Sequence, residues 1–403
     1  MRHDDLRRNA CPSLAAPMAT GDGLLVRLER PLGGYSPTQL IAVARMAART
    51  GNGAIDLSSR GRLQIRGVTA ETLGDLADTL AALGVVTASA SHVETNALLG
   101  LDPTIDADTA MIGDAITAYL DTLPAGALAP KLSIVVDGGG LLPLSDLSAD
   151  LRLTASNGRW FVAVDGDAGS AASFGSVASS EAATSILALI DAMMAIGPRA
   201  RGGDLRSRGR GTALPGVQPS GDPIGRIDLA DGTAVLGLGI PYGQIDAAAL
   251  IALCATAARH GAGTVRLSPG RALLFAGLRT DALPGFEDAA RIMGLITTST
   301  DPRRRVSACV GRPACASGIL ATRAIADMVS AMLASLPDDA AIHLSGCVKG
   351  CAHHRAAALT LVGTARGCGI IRDGCADAIP RSFVAEGDLP SLIAHGRLLE
   401  GIE

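Results

Sequence analysis

The chain has 403 residues, 48% of them hydrophobic and 2% aromatic, and a formal net charge of −4. That length allows two to four domains with sizeable cores, while the acidic balance and the scarcity of rings argue against a basic or base-stacking nucleic-acid binder. The N-terminus, Met1 to Arg8, is charged and lacks an apolar signal region, and no apolar run is expected to span a membrane. A cytoplasmic protein is therefore expected, with no membrane partner, whose unpaired cysteines serve metals or chemistry rather than disulfides.

Taken in order, Cys11-Pro12 and the turn Gly21-Asp22-Gly23 lead into a strand near 24–30. Ser36 caps a helix with Pro37 at its first position, Leu40, Val43, Ala44 and Ala47 give it helical periodicity, and Gly51 and Gly53 end it. A strand at 54–58, a turn at 59–61, a strand at 62–67 and a helix near 70–83 follow. Around that turn, Arg60, Arg62, Gln64 and Arg66 alternate with Leu63 and Ile65, which places guanidinium forks on one side of a strand. Only two of the 35 basic residues are lysines, Lys131 and Lys349, so each stands out.

The first unit recurs without a gap 210 residues later: Leu40-Ile41-Ala42 meets Leu250-Ile251-Ala252, and Gly51, Gly53, Leu57 and Leu63 meet Gly261, Gly263, Leu267 and Leu273. A second segment recurs at an offset of 208, where Ala149, Leu151, Leu153 and Asp165 meet Ala357, Leu359, Leu361 and Asp373. The order is A, B, A′, B′, a duplication rather than a solenoid. Expected parts are 1–84, 85–197, 198–298 and 299–403, with 197–224 as the linker. The linker arginines, Arg199, Arg201, Arg206, Arg208 and Arg210, read as a solvated segment. Arg60 and Gln64 become Gly270 and Leu274 in the duplicate, so the polar function belongs to the first copy.

Four of the eight cysteines form two pairs, Cys309-x5-Cys315 and Cys347-x3-Cys351, the latter within Gly346-Cys347-Val348-Lys349-Gly350-Cys351. Structural zinc, unlinked buried thiols and an iron–sulfur cluster are the three readings; zinc favours tighter pairs, and four thiolates suit a cluster. Cys11, Cys254, Cys368 and Cys375 are taken as non-ligands, with Cys254 on an apolar helical face. No Gly-x-Gly-x-x-Gly follows a strand in a βαβ setting, so direct NADH binding is not expected.

Cys-x5-Cys followed by Gly-Cys-x3-Cys resembles the cluster motif of the nitrite/sulfite reductase superfamily. That resemblance implies an α+β, pseudo-twofold duplicated fold with two ferredoxin-like half-domains and two α/β domains, and a [4Fe-4S] cluster on Cys309, Cys315, Cys347 and Cys351. Leu57 to Gly67 is similar to the superfamily segment whose arginine faces a tetrapyrrole, which assigns Arg60 and Gln64 to the ligand. Arg62 and Arg66 join them as candidate cations. In the segment 128–133 Lys131 matches the first of two substrate lysines of sulfite reductases, and Ser133 replaces the second. Ser91 and His92 stand where a family Arg-Asn pair is expected.

These departures resemble the precorrin-3B synthase branch, which shares the Cys-Pro opening, the Gly21 to Arg27 start and Leu101-Asp102-Pro103. That branch implies O₂-dependent hydroxylation and γ-lactone formation on precorrin-3A, in the aerobic route to cobalamin. Electrons would come from an external NADH-dependent reductase or ferredoxin. A mononuclear non-haem iron would draw on His92, Glu94, His353 or His354; Lys131, His353 and His354 are the catalytic candidates. Arg303 to Arg305, just before Cys309, would clamp carboxylates or tune the cluster. The alternatives are a sirohaem-dependent sulfite or nitrite reductase and, from another class, a non-catalytic metal-binding module.

Overall fold

Ser36 caps the first long helix in the way its sequence predicts: its Oγ accepts from the Gln39 amide while the Gln39 side chain accepts from the Ser36 amide. The computed structural model in which this is seen describes residues 12–85, 92–209, 211, 219–333, 337, 339–395 and 398. Cys11, Ser91 and Arg210 lie outside the described residues.

The first unit runs β1 (Met18–Thr20), β2 (Gly23–Arg27), α1 (Pro37–Thr50), β3 (Ala54–Leu57), β4 (Leu63–Val68) and α2 (Leu73–Ala82). The second runs β5 (His92–Thr95), α3 (Thr109–Thr122), β6 (Ser133–Asp137), β7 (Ala149–Ser156), β8 (Arg159–Gly166), β9 (Ala172–Val177) and α4 (Ser179–Ile196), with the short α5 (Gly202–Leu205) in the connection. The third runs β10 (Gly225–Asp228), β11 (Ala234–Gly239), β12 (Gln244–Asp246), α6 (Ala247–Arg259), β13 (Thr264–Ser268), β14 (Ala272–Leu278) and α7 (Leu283–Ile292). The fourth runs β15 (Val306–Ala308), α8 (Thr322–Met332), β16 (Ile342–Ser345), β17 (Ala357–Thr364), β18 (Gly367–Gly374), β19 (Ser382–Val384) and α9 (Leu389–Ala394).

The offset of 210 is visible in three dimensions. Helices α1 and α6 start at equivalent residues, α2 and α7 have the same length, and α1 packs beside α6. Each half lends the other a piece of strand. β12 joins β3, with Ile245 opposite Ile55, and Tyr35 bridges reciprocally to Val265. One apolar core therefore runs through both halves, from Val26, Leu40 and Ile65 to Leu236, Leu250 and Phe275. Each such buried aliphatic contributes about 1.5–3 kcal/mol.

The offset of 208 is equally clear. In β5 to β9 and again in β15 to β19, two parallel pairings are followed by two antiparallel ones. Asp165 and Asp373 occupy the same left-handed position, at φ 58° and 49°. Helices α3 and α4 cover the first of these sheets, and α8 and α9 pack on the second.

Two expectations change. By length and composition α4 meets the test for a membrane span, although its Ala182, Ile186, Ile190 and Met193 are buried against the sheet beside it. The linker arginines are not all solvated: Arg201 binds Asp150 at 2.8 and 3.0 Å, and Arg206 binds Asp165 at 3.3 Å and the Asp165 carbonyl at 2.6 Å. Asp150 also accepts from the amides of Ser133 and Gly202. Asp150→Ala should lower stability by about 2–3 kcal/mol, since charged hydrogen bonds are lost and buried donors are left unmatched. Urea denaturation would measure this, with amide exchange rising over 199–209; an unchanged midpoint would contradict the docking role.

Candidate active site

The four cysteines line one wall of a chamber of about 330 Å³ between the first sheet and the fourth unit. Parallel strands β15 and β16 end side by side, so the residues that follow them, Cys309 and Gly346-Cys347, are neighbours. The Gly346 amide donates to Cys309 Sγ at 3.0 Å, and Ser345 Oγ donates to the Cys347 carbonyl at 2.7 Å. A side chain at Gly346 would meet Gly311, Gly318 and Cys309 Sγ within 3.4 Å. Burial pushes the Cys347 thiol up, and Cys315 and Cys309 push it further. Thiols gathered at a glycine-lined wall, with an amide aimed at one sulfur, fit a four-thiolate cluster, whose potential such bonds tune. Among the described residues no three His, Cys, Asp or Glu side chains close on a single metal ion; a cluster spreads its thiolates wider than one ion does.

The cluster-free copy solves the same corner differently. Asn96 follows β5 as Cys309 follows β15, and its Oδ1 accepts from the Gly138 amide at 2.8 Å, the counterpart of Gly346. Its Nδ2 then bonds Asp137 and the Gly139 carbonyl, both at 2.9 Å. An amide side chain thus closes from within the loop that thiols hold open in the fourth unit.

Opposite the cysteines lies a polar row across the first sheet, in which Arg27 pairs with Gln64, Gln64 with Asp56 and Asp56 with Gln244. With its amide oxygen toward Arg27, Gln64 accepts at 3.1 and 3.2 Å. Arg66 is held by Asp22 at 2.7 Å and Asp56 at 3.1 Å, and reaches the Ala314 carbonyl beside Cys315 at 2.8 Å. Asp56 also accepts from Arg323 at 3.0 Å and Gln244 at 2.9 Å, so one carboxylate ties three units together. Of the six non-glycine residues with positive φ among the described residues, Lys131, Tyr242 and Arg271 line this chamber. Such backbone strain concentrates at ligand sites.

A second chamber of about 810 Å³ adjoins the first at Ser59, Cys351 and Ala352. Arg60, Arg304, Arg355, His353 and His354 line it. Arg304 bonds Asp222 at 2.6 Å and Arg355 bonds Asp167 at 2.8 Å. Beneath His353 lies His343, fully buried, its ring 5.7 Å from that of His353 and both nitrogens without a hydrogen-bond partner among the described residues. Burial, with His353, His354 and Arg271 nearby, holds its pKa at about 4, so it is neutral.

Of the candidates read from the sequence, Gln64, Arg66, Lys131 and the four cysteines meet in the inner chamber, and Arg60, His353 and His354 in the outer one. Arg62 is corrected. It is 2% exposed and committed to Glu94 and Glu29, because β5 closes its end of the sheet. Glu94, held by Arg30 and Arg62, is likewise unsuited to ligating iron, and of His92 only the backbone is described. Arg303 and Arg305 are engaged with Asp301 and with backbone carbonyls; Arg304 alone of that trio faces a chamber. In the second copy Gly270 and Leu274 offer no polar side chain, yet Arg271 from that copy lines the inner chamber. Arg27, Asp56, Arg323 and His343 were also missed; the pairing of Arg27 and Asp56 with Gln64 follows from register alone. Cys254 and Cys368 are buried outside both chambers.

Residues 16–83 and 227–291 each match the nitrite/sulfite reductase ferredoxin-like half domain, the two copies of the duplicated unit. Over 418 aligned residues the chain is 33% identical to a precorrin-3B synthase from Sinorhizobium sp, covering 98% of this chain and 89% of that protein. The chain belongs to the precorrin-3B synthase family. Within the wider superfamily, a sulfite reductase [NADPH] hemoprotein beta-component from Acidithiobacillus ferrooxidans is 32% identical over only 37% of this chain and 29% of its own length. The precorrin-3B synthase fold seen here is also that of the NirA protein of Mycobacterium tuberculosis, with a TM-score of 0.70 at 16% identity over 92% of this chain and 79% of that one. The duplicated α+β architecture is therefore that of the nitrite/sulfite reductase superfamily.

Proposed function

We propose that the chain is a precorrin-3B synthase, an oxidoreductase that hydroxylates precorrin-3A with O₂ and closes a γ-lactone from a ring acetate. One oxygen atom enters the macrocycle, the other leaves as water, and a donor supplies two electrons. The observation that carries this reading is the facing of two walls across one chamber: four thiols on one side, and Arg27, Gln64, Arg66 and Lys131 on the other. Cys309, Cys315, Cys347 and Cys351 would hold a [4Fe-4S] cluster, which supplies single electrons when bound. Arg27 and Lys131 orient the carboxylates of the macrocycle, Arg66 fixes the chamber floor through Asp22 and Asp56, and Arg60 continues the binding role into the outer chamber. Arg62 holds the scaffold and takes no part in binding. The four-part division near residues 84, 197 and 298 belongs to the same proposal, as does electron supply by a separate NADH-dependent reductase or ferredoxin.

The sirohaem reductase reading is weaker on two counts. Its relatives match only part of the chain. Ser133, where a second substrate lysine would stand, is turned to Asp150 in buried hydrogen bonds. A metal-binding module without catalysis leaves the arginine row and the second chamber without a use.

The test is anaerobic reconstitution with iron and sulfide, then precorrin-3A, air and a reductant. The expected product is heavier by one oxygen atom, drawn from isotopically labelled O₂. Unchanged substrate beside a filled cluster would overturn the reading, and strong Soret and red bands in the purified protein would move it to a sirohaem enzyme.

A further inference from the structure

The two equivalent hairpin turns meet at the pseudo-twofold axis. The Gly270 amide donates to the Ser59 carbonyl at 3.0 Å, and Gly61 lies so close to the Ser268 backbone that a Cβ there would come within 2.6 Å of it. In the first half Arg60 precedes that glycine; in the second Arg271 follows its glycine. The turns consequently send one arginine each to different chambers, Arg60 to the outer and Arg271 to the inner.

Arg271 is built into its place. Its backbone is left-handed, at φ 61°, a conformation that few non-glycine residues adopt. Its side chain passes over Gly243, where a Cβ would stand 2.8 Å from Arg271 Cδ and 3.0 Å from its Nε. Among the described residues its guanidinium makes no hydrogen bond or ion pair. The carboxylate that attracts it, Asp56, is already shared by Arg66, Arg323 and Gln244. Burial, and then the neighbouring Arg323, hold its pKa below the ordinary arginine range, yet a guanidinium stays charged. A half-buried cation whose nearest carboxylate is already shared by three other donors is poorly compensated until a further anion arrives.

We propose that Arg271 is a carboxylate-binding residue of the inner chamber, and that with Arg60 it forms a two-point grip on a planar polycarboxylate spanning both chambers. The proposal rests on the tetrapyrrole reading and adds a contact from the half of the molecule that the sequence left without one. A carboxylate suits the site because the guanidinium presents two parallel donors, and the ring ligand carries such groups at its edge.

Fluorescence quenching of uroporphyrin III, a macrocycle rich in carboxylates, by the cluster-reconstituted full chain tests it. Arg271→Gln should weaken the Kd by about 10- to 100-fold, the loss of a charged hydrogen-bonded contact. The cluster absorbance should match wild type and the Tm should not fall below it, whereas a merely structural role would lower the Tm. Arg271→Lys, which keeps the charge without the fork, should fall between. Arg279→Gln, at an exposed pair with Asp281, should bind as wild type does. If Arg271→Gln quenches like wild type while Arg60→Gln weakens binding, Arg271 is not a ligand residue and the tetrapyrrole reading stands. If the wild-type chain does not bind uroporphyrin, both fall. Should the glutamine variant not fold, Arg271→Lys decides: about threefold or more weaker binding supports the contact, and unchanged binding overturns it.

Discussion

A Cys351→Ser chain should retain less than about half of the wild-type iron and sulfide and give no measurable turnover, because a four-thiolate cluster loses a ligand that serine oxygen replaces poorly. Cys351 is the most informative of the four. It is exposed where Cys309, Cys315 and Cys347 are partly buried, and it stands at the boundary shared by the two chambers. Its loss would expose a cluster edge and disturb the partition where a macrocycle would meet the electron source. Iron and sulfide assays, with mass spectrometry of the product, read both effects. Cys375→Ser is the matched control: that thiol points to the His354 carbonyl and lines neither chamber, so its iron content should be unchanged. Wild-type iron and activity in Cys351→Ser would remove the residue from the site.

Glu94→Ala should cost about 3–5 kcal/mol of stability, the penalty for leaving buried charge uncompensated. Glu94 is fully buried and meets Arg62 and Arg30, each at 3.2 Å; Arg62 also bonds Glu29, and Arg30 the Thr95 carbonyl at 2.7 Å. This network locks the first sheet to β5. Removing its central acid strands two guanidiniums in a space that water does not reach. A urea midpoint shifted well below wild type, with little change in uroporphyrin affinity for Arg62→Met, is the expected pattern. If Arg62→Met instead weakened uroporphyrin binding and left stability alone, Arg62 would return to the ligand site.

That correction shows where sequence reasoning stopped. The alternation from Arg60 to Arg66 reads as one side of a single strand. Residues 59–61 are indeed a turn, and β4 begins only at Leu63. Which end of a polar row opens to a cleft and which is roofed depends on a sheet about thirty residues away, and no local pattern carries that. The duplication was legible because its glycines and apolar positions recur in step, and the cysteine spacing was legible because it is a local pattern. The strand exchange was not, since it pairs Ile55 with Ile245 through backbone alone. Arg271 escaped because the duplicate's arginine sits one residue beyond the aligned position, and only the interlocked turns show that each carries one arginine to a chamber. The equivalent face of the second half lacks polar groups for a simple reason. Leu274 and Ala276 are packed under Leu98, Leu142 and Ile296, so what looked like a missing polar site is a closed core.

The reciprocal strand lending has a consequence for specialisation. Two separate copies clasped in this way would be a symmetric dimer, and every substitution would fall on both of its faces at once. Joined in a single polypeptide, the faces are free to diverge: one corner keeps sulfur where its twin carries Asn96, and one sheet keeps an open charged floor where its twin is sealed with aliphatic side chains. Covalent fusion is thus what permits a lopsided interior beneath an almost symmetric backbone.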